Sequence, residues 1–468
     1  RTPERSVVIE SDGRAGGRMS RGQGAGGGGV GGRLPPEMSP RDAAIKIIRA
    51  LRDAGHEALL AGGCVRDELL GLHPKDYDIA TDATPKRVIE LFPRSREQGK
   101  AFAVVQVRVK GGPGGGNHAV EVATFRAEHG YSDRRRPDAV TFTDARADAQ
   151  RRDFTINALF IDPLDARERP QGRVIDYVAG LGDLKSRVIR AVGDPDERFR
   201  EDDLRALRAV RFAARLGFEI EPRTAEAIRR HAGDLVGVSR ERIGDEVRRM
   251  FNHPHRARAA RLLHILSLDG PTLKEPCRGD RSLPMLEGVA EGAPLAEALA
   301  AWMLDRAPDN PRQGPAEPID IAGASARTVP GWREALCLSN DERTDLRAIL
   351  DTIVRLESDW PKWGVARRKR LAAAPMFRSA LSLVSIRKPA LGASLNAEME
   401  SLERSAGGIA PEPFVTGDDL VAEGYSPGPK FAQWLDAAYD AQLEGRIASK
   451  AEALAMIRTL PGQATKPA

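Results

Sequence analysis

The segment best equipped for chemistry runs Leu60-Ala61-Gly62-Gly63-Cys64-Val65-Arg66, followed shortly by Lys75-Asp76-Tyr77-Asp78. Gly62 and Gly63 sit between a strand-like run and a helix-like run, where bare backbone N–H groups can approach a phosphate closely. Arg66 adds a guanidinium fork at the same end. Asp76 and Asp78 stand two apart on a stretch, Asp76 to Ala80, that reads as a strand. Period-2 geometry then predicts both carboxylates on one face. Paired hard oxygen ligands suit Mg2+ when substrate phosphates complete its shell. A Gly-Gly alone is usually a turn, and an Asp-x-Asp alone is usually a solvated strand end. Together at this spacing, with Arg66 between them, they point to metal-dependent phosphate chemistry.

Further groups of residues stand out. The spacing predicts a helix from Asp202 to Leu216, on which Asp202, Arg205, Arg208 and Arg211 lie three apart. Leu204, Leu207, Val210 and Ala214 form a second, apolar stripe on it. Composition alone reads the arginine stripe as a solvated face. Asp153, preceded by Arg152, reads as the N-cap of a helix from Phe154 to Phe160. Glu121 falls on a predicted strand, where by itself it reads as a plain exposed residue. His253 and His255 flank Pro254 and read as a helix terminus rather than a metal site. Cys64 reads as a small buried residue.

The elements that must hold these residues divide the 468-residue chain in two. Helix Ala43–Ala54, strand Glu57–Leu60, helix Pro85–Phe92 and strands Ala103–Val109 and Ala119–Thr124 make a mixed α/β head. A Gly-rich hairpin loop, 111–117, joins the last two strands. From Phe154 onward helices are expected, with one last strand near Val188–Arg190. Helical spacing covers Arg223–His231, Arg240–Phe251 and Ala257–Leu266. A looser zone follows over 268–332, and helices resume over Asn340–Glu357, Arg367–Ser385 and Leu395–Ser405. A final unit, Thr416–Ile457, has its own Gly/Pro turn. The boundaries expected are a disordered Gly/Arg-rich tail (1–40), a head (41–193), a helical neck (194–265), a helical body (266–410) and a tail unit (411–468). The fold class is α+β.

Composition excludes several functions. Hydrophobic residues at 41% and charged residues at 30% suit a globular chain with a sizeable core. The apolar runs fall short of the roughly 20 residues that a membrane span needs, so no membrane partner is expected. Cys64, Cys277 and Cys337 contain no CxxC pair, which argues against a disulfide framework or cysteine zinc site and fits a cytoplasmic location. A formal charge of +5 permits a nucleic-acid partner without demonstrating one.

The first motif resembles the signature of the polymerase-β-like nucleotidyltransferases, in the branch of class II tRNA nucleotidyltransferases and bacterial poly(A) polymerases. Arg151-Arg152-Asp153-Phe154-Thr155-Ile156-Asn157 is similar to that family's second motif. Asp176-Tyr177-Val178-Ala179-Gly180-Leu181-Gly182-Asp183 is similar to its hinge. Glu201-Asp202-Asp203-Leu204-Arg205 through Gly217-Phe218 is similar to its nucleobase-reading helix. The motifs come in family order over about residues 42–265, and residues 126–137 resemble the mobile loop of the tRNA enzymes. The run Gly99-Lys100-Ala101-Phe102 departs from the basic run of the poly(A) enzymes. Pro427-Gly428-Pro429 and Leu443-Glu444-Gly445-Arg446 resemble the tail of bacterial tRNA enzymes, whereas 268–410 carries no motif of this kind.

The resemblance implies a nucleotidyltransferase head with a small mixed sheet, followed by an all-α neck, body and tail. It implies Mg2+ on Asp76 and Asp78, with Glu121 as the third carboxylate. It implies phosphate contacts from Gly62, Gly63, Arg66, Arg208 and Arg211, and ribose contacts from Arg152 and Asp153. Asp202 and Arg205 are the implied base-reading pair. A carboxylate accepts from the exocyclic amine of cytosine or adenine, and a guanidinium donates to ring and carbonyl acceptors. Uracil lacks that amine. The implied partners are tRNA, ATP and CTP, with no obligate protein partner. The implied reaction is addition of C and/or A to the tRNA 3′ end. Addition of the terminal A alone, poly(A) synthesis, and an RNA- or nucleotide-binding module with an inactive site remain alternatives.

Overall fold

The computed structural model describes residues 38–98, 103–110, 116–130, 139–167, 169–276, 282–307, 320–405 and 407–460. The expectations for residues 1–37, for 99–102, for most of the hairpin loop 111–117 and for 131–138 fall outside these residues. Ala58-Leu59-Leu60-Ala61 forms a central strand, β1, with every residue buried. It pairs antiparallel with β2 (Asp78–Thr81) on one side and β8 (Leu159–Asp162) on the other. With β3 (Ser95–Gln98), β4 (Val104–Lys110), β5 (Asn117–Thr124) and β9 (Arg173–Asp176) they make a seven-stranded sheet in the order β3-β4-β5-β2-β1-β8-β9, while β6 (Arg126–His129) and β7 (Ala139–Phe142) pair antiparallel in a separate two-stranded sheet. Within the larger sheet only β2 and β5 run parallel.

Alternation along the strands builds two different faces. Ala58, Leu60, Ile79, Val105, Val107, Val120 and Val122 belong to the main core, which includes helix α1 (Pro40–Asp53) and Val88 of α3 (Pro85–Leu91). Leu59, Ala61, Ala80, Phe125 and Phe160 belong to a smaller core, closed by Ala145 and Ala149 of α4 (Ala145–Gln150). A capping box at Ser39 and Asp42 starts α1, a motif whose cap contributes about 1 kcal/mol. Between β1 and β2 lies α2 (Gly63–Leu69).

The expected helix over 154–160 is not formed. A short 3-10 turn, Thr155–Asn157, leads into β8 instead. Asp153 to Asp162 is buried throughout. A continuous apolar run of this kind fits a strand covered on both faces as well as it fits a helix. The strands β8 and β9 are therefore additions to the expected head.

Helices take over after the two-residue strand β10 (Val188–Ile189). The neck holds α6 (Pro195–Glu201), α7 (Arg205–Leu216), α8 (Pro222–His231), α9 (Arg240–Phe251) and α10 (Arg256–Ile265). The zone expected to be loose contains α11 (Asp269–Leu273), α12 (Pro284–Gly288), α13 (Leu295–Arg306) and α14 (Ile321–Leu336). Ten of the twelve residues of α13 are buried, so it has no amphipathic stripe to betray it. Then come α15 (Asn340–Ser358), α16 (Val365–Ala372), α17 (Phe377–Arg387) and α18 (Pro389–Arg404). The single helix expected over 367–385 is thus two, split near Pro375. A separate apolar cluster around Trp434, with Val415, Leu420, Ala441 and Ile457, holds the last three helices together.

Gly180, at the start of α5 (Gly180–Ser186), touches the turn that carries the second motif. A Cβ there would strike the Thr155 carbonyl. Gly180→Ala is expected to destabilise the protein by about 1–3 kcal/mol, the usual cost of overpacking. Urea unfolding monitored by far-UV circular dichroism checks this.

Candidate active site

Sheet register assembles the head's polar centre. Antiparallel pairing sets Asp78 opposite Ala61, so the start of β2 lies beside the Gly62-Gly63 turn that ends β1. Parallel pairing sets Ile79 against Val122, which brings Asp78 level with Glu121 on the neighbouring strand, about 4.8 Å away by strand spacing. Asp78 and Glu121 share parity with Ala80 rather than with Ile79 and Val122, so both point to the face of the smaller core. Asp76 has that parity too, though β2 begins only at Asp78 and Asp76 lies just before it.

Asp78 is exposed, yet the protein packed around it partly desolvates its carboxyl. That desolvation pushes its carboxyl up to about 6, and the charges of Glu121 and Asp76 add to the rise while Arg152 opposes it. Glu121 therefore lies within electrostatic reach of the Asp pair. Among the described residues no three His, Cys, Asp or Glu side chains already converge on a metal position. The donor set is a fan of carboxylates, which fits a hard divalent cation whose shell is completed by substrate oxygens and water.

Gly62 adopts φ +76°, a left-handed conformation that suits glycine, and its amide donates to the Leu159 carbonyl at 3.2 Å. A Cβ on Gly62 would lie 3.0 Å from an Arg152 Nη1 atom. Arg152 donates to Asp148 at 3.0 Å and to the Asn157 carbonyl at 3.1 Å, and lies over the Phe160 ring. A Cβ on Gly63 would lie 3.7 Å from Arg66 Nη2. The Arg66 guanidinium is buried, bonding Asp67 at 2.6 Å and Asn157 Oδ1 at 2.6 Å. Burial lowers its pKa, against the pull of Asp67. Cys64 is buried as expected, and burial pushes its thiol up to about 12.

The neck helix closes the other side. Asp153 is not a helix cap. It accepts from the Phe154 amide at 2.8 Å, from Asn157 Nδ2 at 3.1 Å and from Arg208 at 2.6 and 2.8 Å. Burial alone would raise its carboxyl, but Arg208 and Asn157 win and hold it down at about 2. Arg211 pairs with Glu246 of α9 at 2.6 Å. Arg66, Arg208 and Arg211 surround the Phe212 ring at 5.1, 5.5 and 4.2 Å from its centre. The structure thus gathers three guanidinium groups from the head and neck into one cationic cluster.

Asp202 does not share the helical stripe. It sits between α6 and α7 in extended conformation (φ −152°, ψ 101°), and its side chain accepts from the Leu204 amide. This Asx turn competes with helix and delays α7 until Arg205. Asp202 bonds Arg242 of α9 at 2.7 Å. Arg205 bonds Glu201 at 2.5 Å and the Arg198 carbonyl at 3.0 Å. The partners Asp67, Asp148, Arg242 and Glu246 were not singled out from sequence, because their roles depend on contacts between distant segments. His253 and His255 lie at the start of α10, with His255 Nδ1 at the Ala214 carbonyl.

Residues 58–190 match the poly A polymerase head domain family, and residues 217–269 match the family described as "Probable RNA and SrmB- binding site of polymerase A". The CCA-adding enzyme of Limosilactobacillus fermentum is 33% identical over 429 residues, covering 90% of this chain and 96% of that protein. The crystal structure of the Bacillus stearothermophilus CCA-adding enzyme in complex with CTP superposes with a TM-score of 0.63 at 28% identity, over 90% of this chain and 98% of that one. The Thermotoga maritima CCA-adding enzyme complexed with tRNA shares the fold at 17% identity (TM-score 0.58), covering 88% of this chain and 93% of that one. Head, neck and helical body define a polymerase-β-like nucleotidyltransferase. The chain belongs to the CCA-adding enzyme family, and the similarity extends through the region 268–410, where no motif was legible.

A carboxyl whose folded-state pKa lies above its unfolded value costs stability as pH rises through that interval. For Asp78 the interval runs from the ordinary carboxylate range to about 6. Without metal, Asp78→Asn is expected to raise Tm at pH 8 and to leave it nearly unchanged at pH 4. Adding Mg2+ at pH 8 is expected to raise Tm of the wild type and not of Asp78→Asn. Differential scanning fluorimetry over both pH values checks both signs.

Proposed function

We propose that this protein completes or repairs the CCA end of tRNA, transferring CMP and AMP from CTP and ATP to the 3′-hydroxyl without a nucleic-acid template. The carrying observation is the Asp76/Asp78 pair lodged beside Gly62-Gly63, in a chain that aligns with a CCA-adding enzyme over 90% of its length. Asp76 and Asp78, with Glu121 as the third carboxylate, hold Mg2+. The metal supplies activation of the 3′-hydroxyl and neutralisation of the departing pyrophosphate.

The remaining roles fall to side chains already held in place. Arg208 spends its Nε and one Nη on Asp153. A guanidinium has five N–H donors, so Arg208 keeps three for phosphate oxygens. Arg211 adds charge beside it. Arg66 commits at most three of its five N–H donors to Asp67 and Asn157, which fixes its guanidinium and leaves donors for phosphate oxygens. Arg152 and Asp153 flank the ribose position. Asp202 accepts the exocyclic amine of C or A, and Arg205 donates to the ring acceptors. Both amine-bearing bases satisfy this pair, whereas uracil offers an acceptor where the carboxylate needs a donor. The helical body holds tRNA by backbone and shape rather than by sequence.

Transcripts ending at the discriminator base, in C, or in CC, incubated with Mg2+ and labelled CTP or ATP, test the reading on a sizing gel. The expected outcome is extension of each to the same CCA terminus, followed by arrest. A single A added only to the CC transcript, or a long A ladder, would replace CCA addition by A addition or poly(A) synthesis. Asp76→Ala is expected to slow incorporation by about 100-fold or more, as loss of a group that stabilises transition-state charge does. Wild-type activity in that variant would overturn the metal assignment.

A further inference from the structure

Helix α9 touches the neck's polar face at two points. Arg242 and Glu246 are four apart, so they lie on one side of the helix. Arg242 Nη2 donates to Asp202 Oδ2 at 2.7 Å, and Glu246 accepts from Arg211 at 2.6 Å. The same helix is clamped to the body from its other sides. Arg240 donates to the Ala335 carbonyl at 2.8 Å, and Arg248 bonds Glu342 at 2.8 Å and the Cys337 carbonyl at 2.8 Å. Gly244 packs so closely on α14 that a Cβ would strike the Leu336 carbonyl.

We infer that Arg242 is a positioning residue for base selection, orienting the Asp202 carboxylate towards the incoming nucleotide. The inference rests on the base-reading role proposed above for Asp202. A carboxylate offers about four lone-pair sites. One oxygen of Asp202 accepts from the Leu204 amide at 3.2 Å and the other from Arg242. Two contacts on two different oxygens fix the plane of the group. The remaining lone pairs then keep a set direction, available to an amine on cytosine or adenine. With the side chains 16% and 21% exposed, the pair is more than a screened surface contact. Without Arg242 the carboxylate turns about its Cβ–Cγ bond and no longer presents acceptors in one direction. Cytosine then loses its advantage over uracil.

The test is single-nucleotide addition to a tRNA transcript ending at the discriminator base, with kcat and KM measured for CTP and UTP. In Arg242→Met the preference for CTP over UTP is expected to fall by about ten-fold, the scale of one charged hydrogen bond. The loss is expected in KM for CTP, with kcat nearly unchanged. Arg242→Lys is expected to recover part of the preference. An unchanged preference, or an equal fall in kcat for both nucleotides, overturns the inference and leaves Arg242 a structural brace. Should Arg242→Met fail to fold by circular dichroism, Arg242→Gln is read in its place by the same criteria. Asp202→Asn separates the two levels of failure. If it keeps the wild-type preference, the base-reading role falls and the inference with it. If it loses the preference while the folded Arg242 variant keeps it, only the role of Arg242 is overturned.

Discussion

Strand β2 runs parallel to β5 in a sheet that is otherwise antiparallel, and the juxtaposition of the carboxylates proposed to be catalytic depends on that pairing. The register sets Asp78 level with Glu121, while the antiparallel neighbour β1 sets it beside the Gly62-Gly63 turn. Carboxylates roughly 5 Å apart repel by about 1–3 kcal/mol, depending on how much water screens them. Among the described residues, Arg152 opposes this repulsion. The sheet holds the charges together through the apolar residues on its opposite face: Leu60, Ile79 and Val122 are all fully or nearly fully buried. Each such side chain contributes roughly 1.5–3 kcal/mol on burial. The core therefore stabilises an arrangement that the site alone would push apart, and a divalent cation bound there would relieve the repulsion that remains.

Around this acidic centre, the neighbouring arginines are already committed. Arg66 lies with Asp67, Arg152 with Asp148, Arg205 with Glu201, Arg208 with Asp153 and Arg211 with Glu246. These pairs set the positions of the guanidinium groups before any nucleotide arrives. A long side chain that must be ordered on binding costs about 0.5–1.5 kcal/mol, and here that cost falls on folding instead. The arrangement also explains how several positive charges share the Phe212 ring. Each is balanced by its own carboxylate, so the cluster stays compact.

The first motif was legible because its chemistry is local: two glycines, an arginine and two aspartates lie within 17 residues. Glu121 could be placed on a strand, but its register against Asp78 could not be read, because that register joins segments more than forty residues apart. Strands β8 and β9 were missed for a different reason. A strand buried on both faces has no alternation, and Phe154–Ile161 reads equally as helix. Asp202 was assigned to a helix by spacing, yet its own side chain, bonded to the Leu204 amide, stops the helix short. The body helix α13 hid because burial on all sides erases its stripe. Partners such as Arg242 and Glu246 carry no local signal, since an Arg and a Glu four apart describe most solvated helices.

Those two residues show why charge of both signs on one helix face is useful here. Arg242 takes the acidic end of the neck's polar face and Glu246 takes the basic end. Asp202 and Arg211 are nine residues apart along a chain that changes direction at Asp202. Their separation would vary if each were anchored by a different loop. Anchored four residues apart on one helix, they take their spacing from the α-helical rise, about 6 Å over that interval. Glu246 is 3% exposed and is held by Arg211 at 2.6 Å and by Arg249 at 3.4 Å, so losing Arg211 would leave a buried carboxylate with one long contact, at a cost of up to about 3–5 kcal/mol. That cost fixes α9 against α7, and Gly244 and Arg248 fix α9 against the body. The carboxylate proposed to read the base is thereby referenced to the rigid helical scaffold rather than to the loop that carries it.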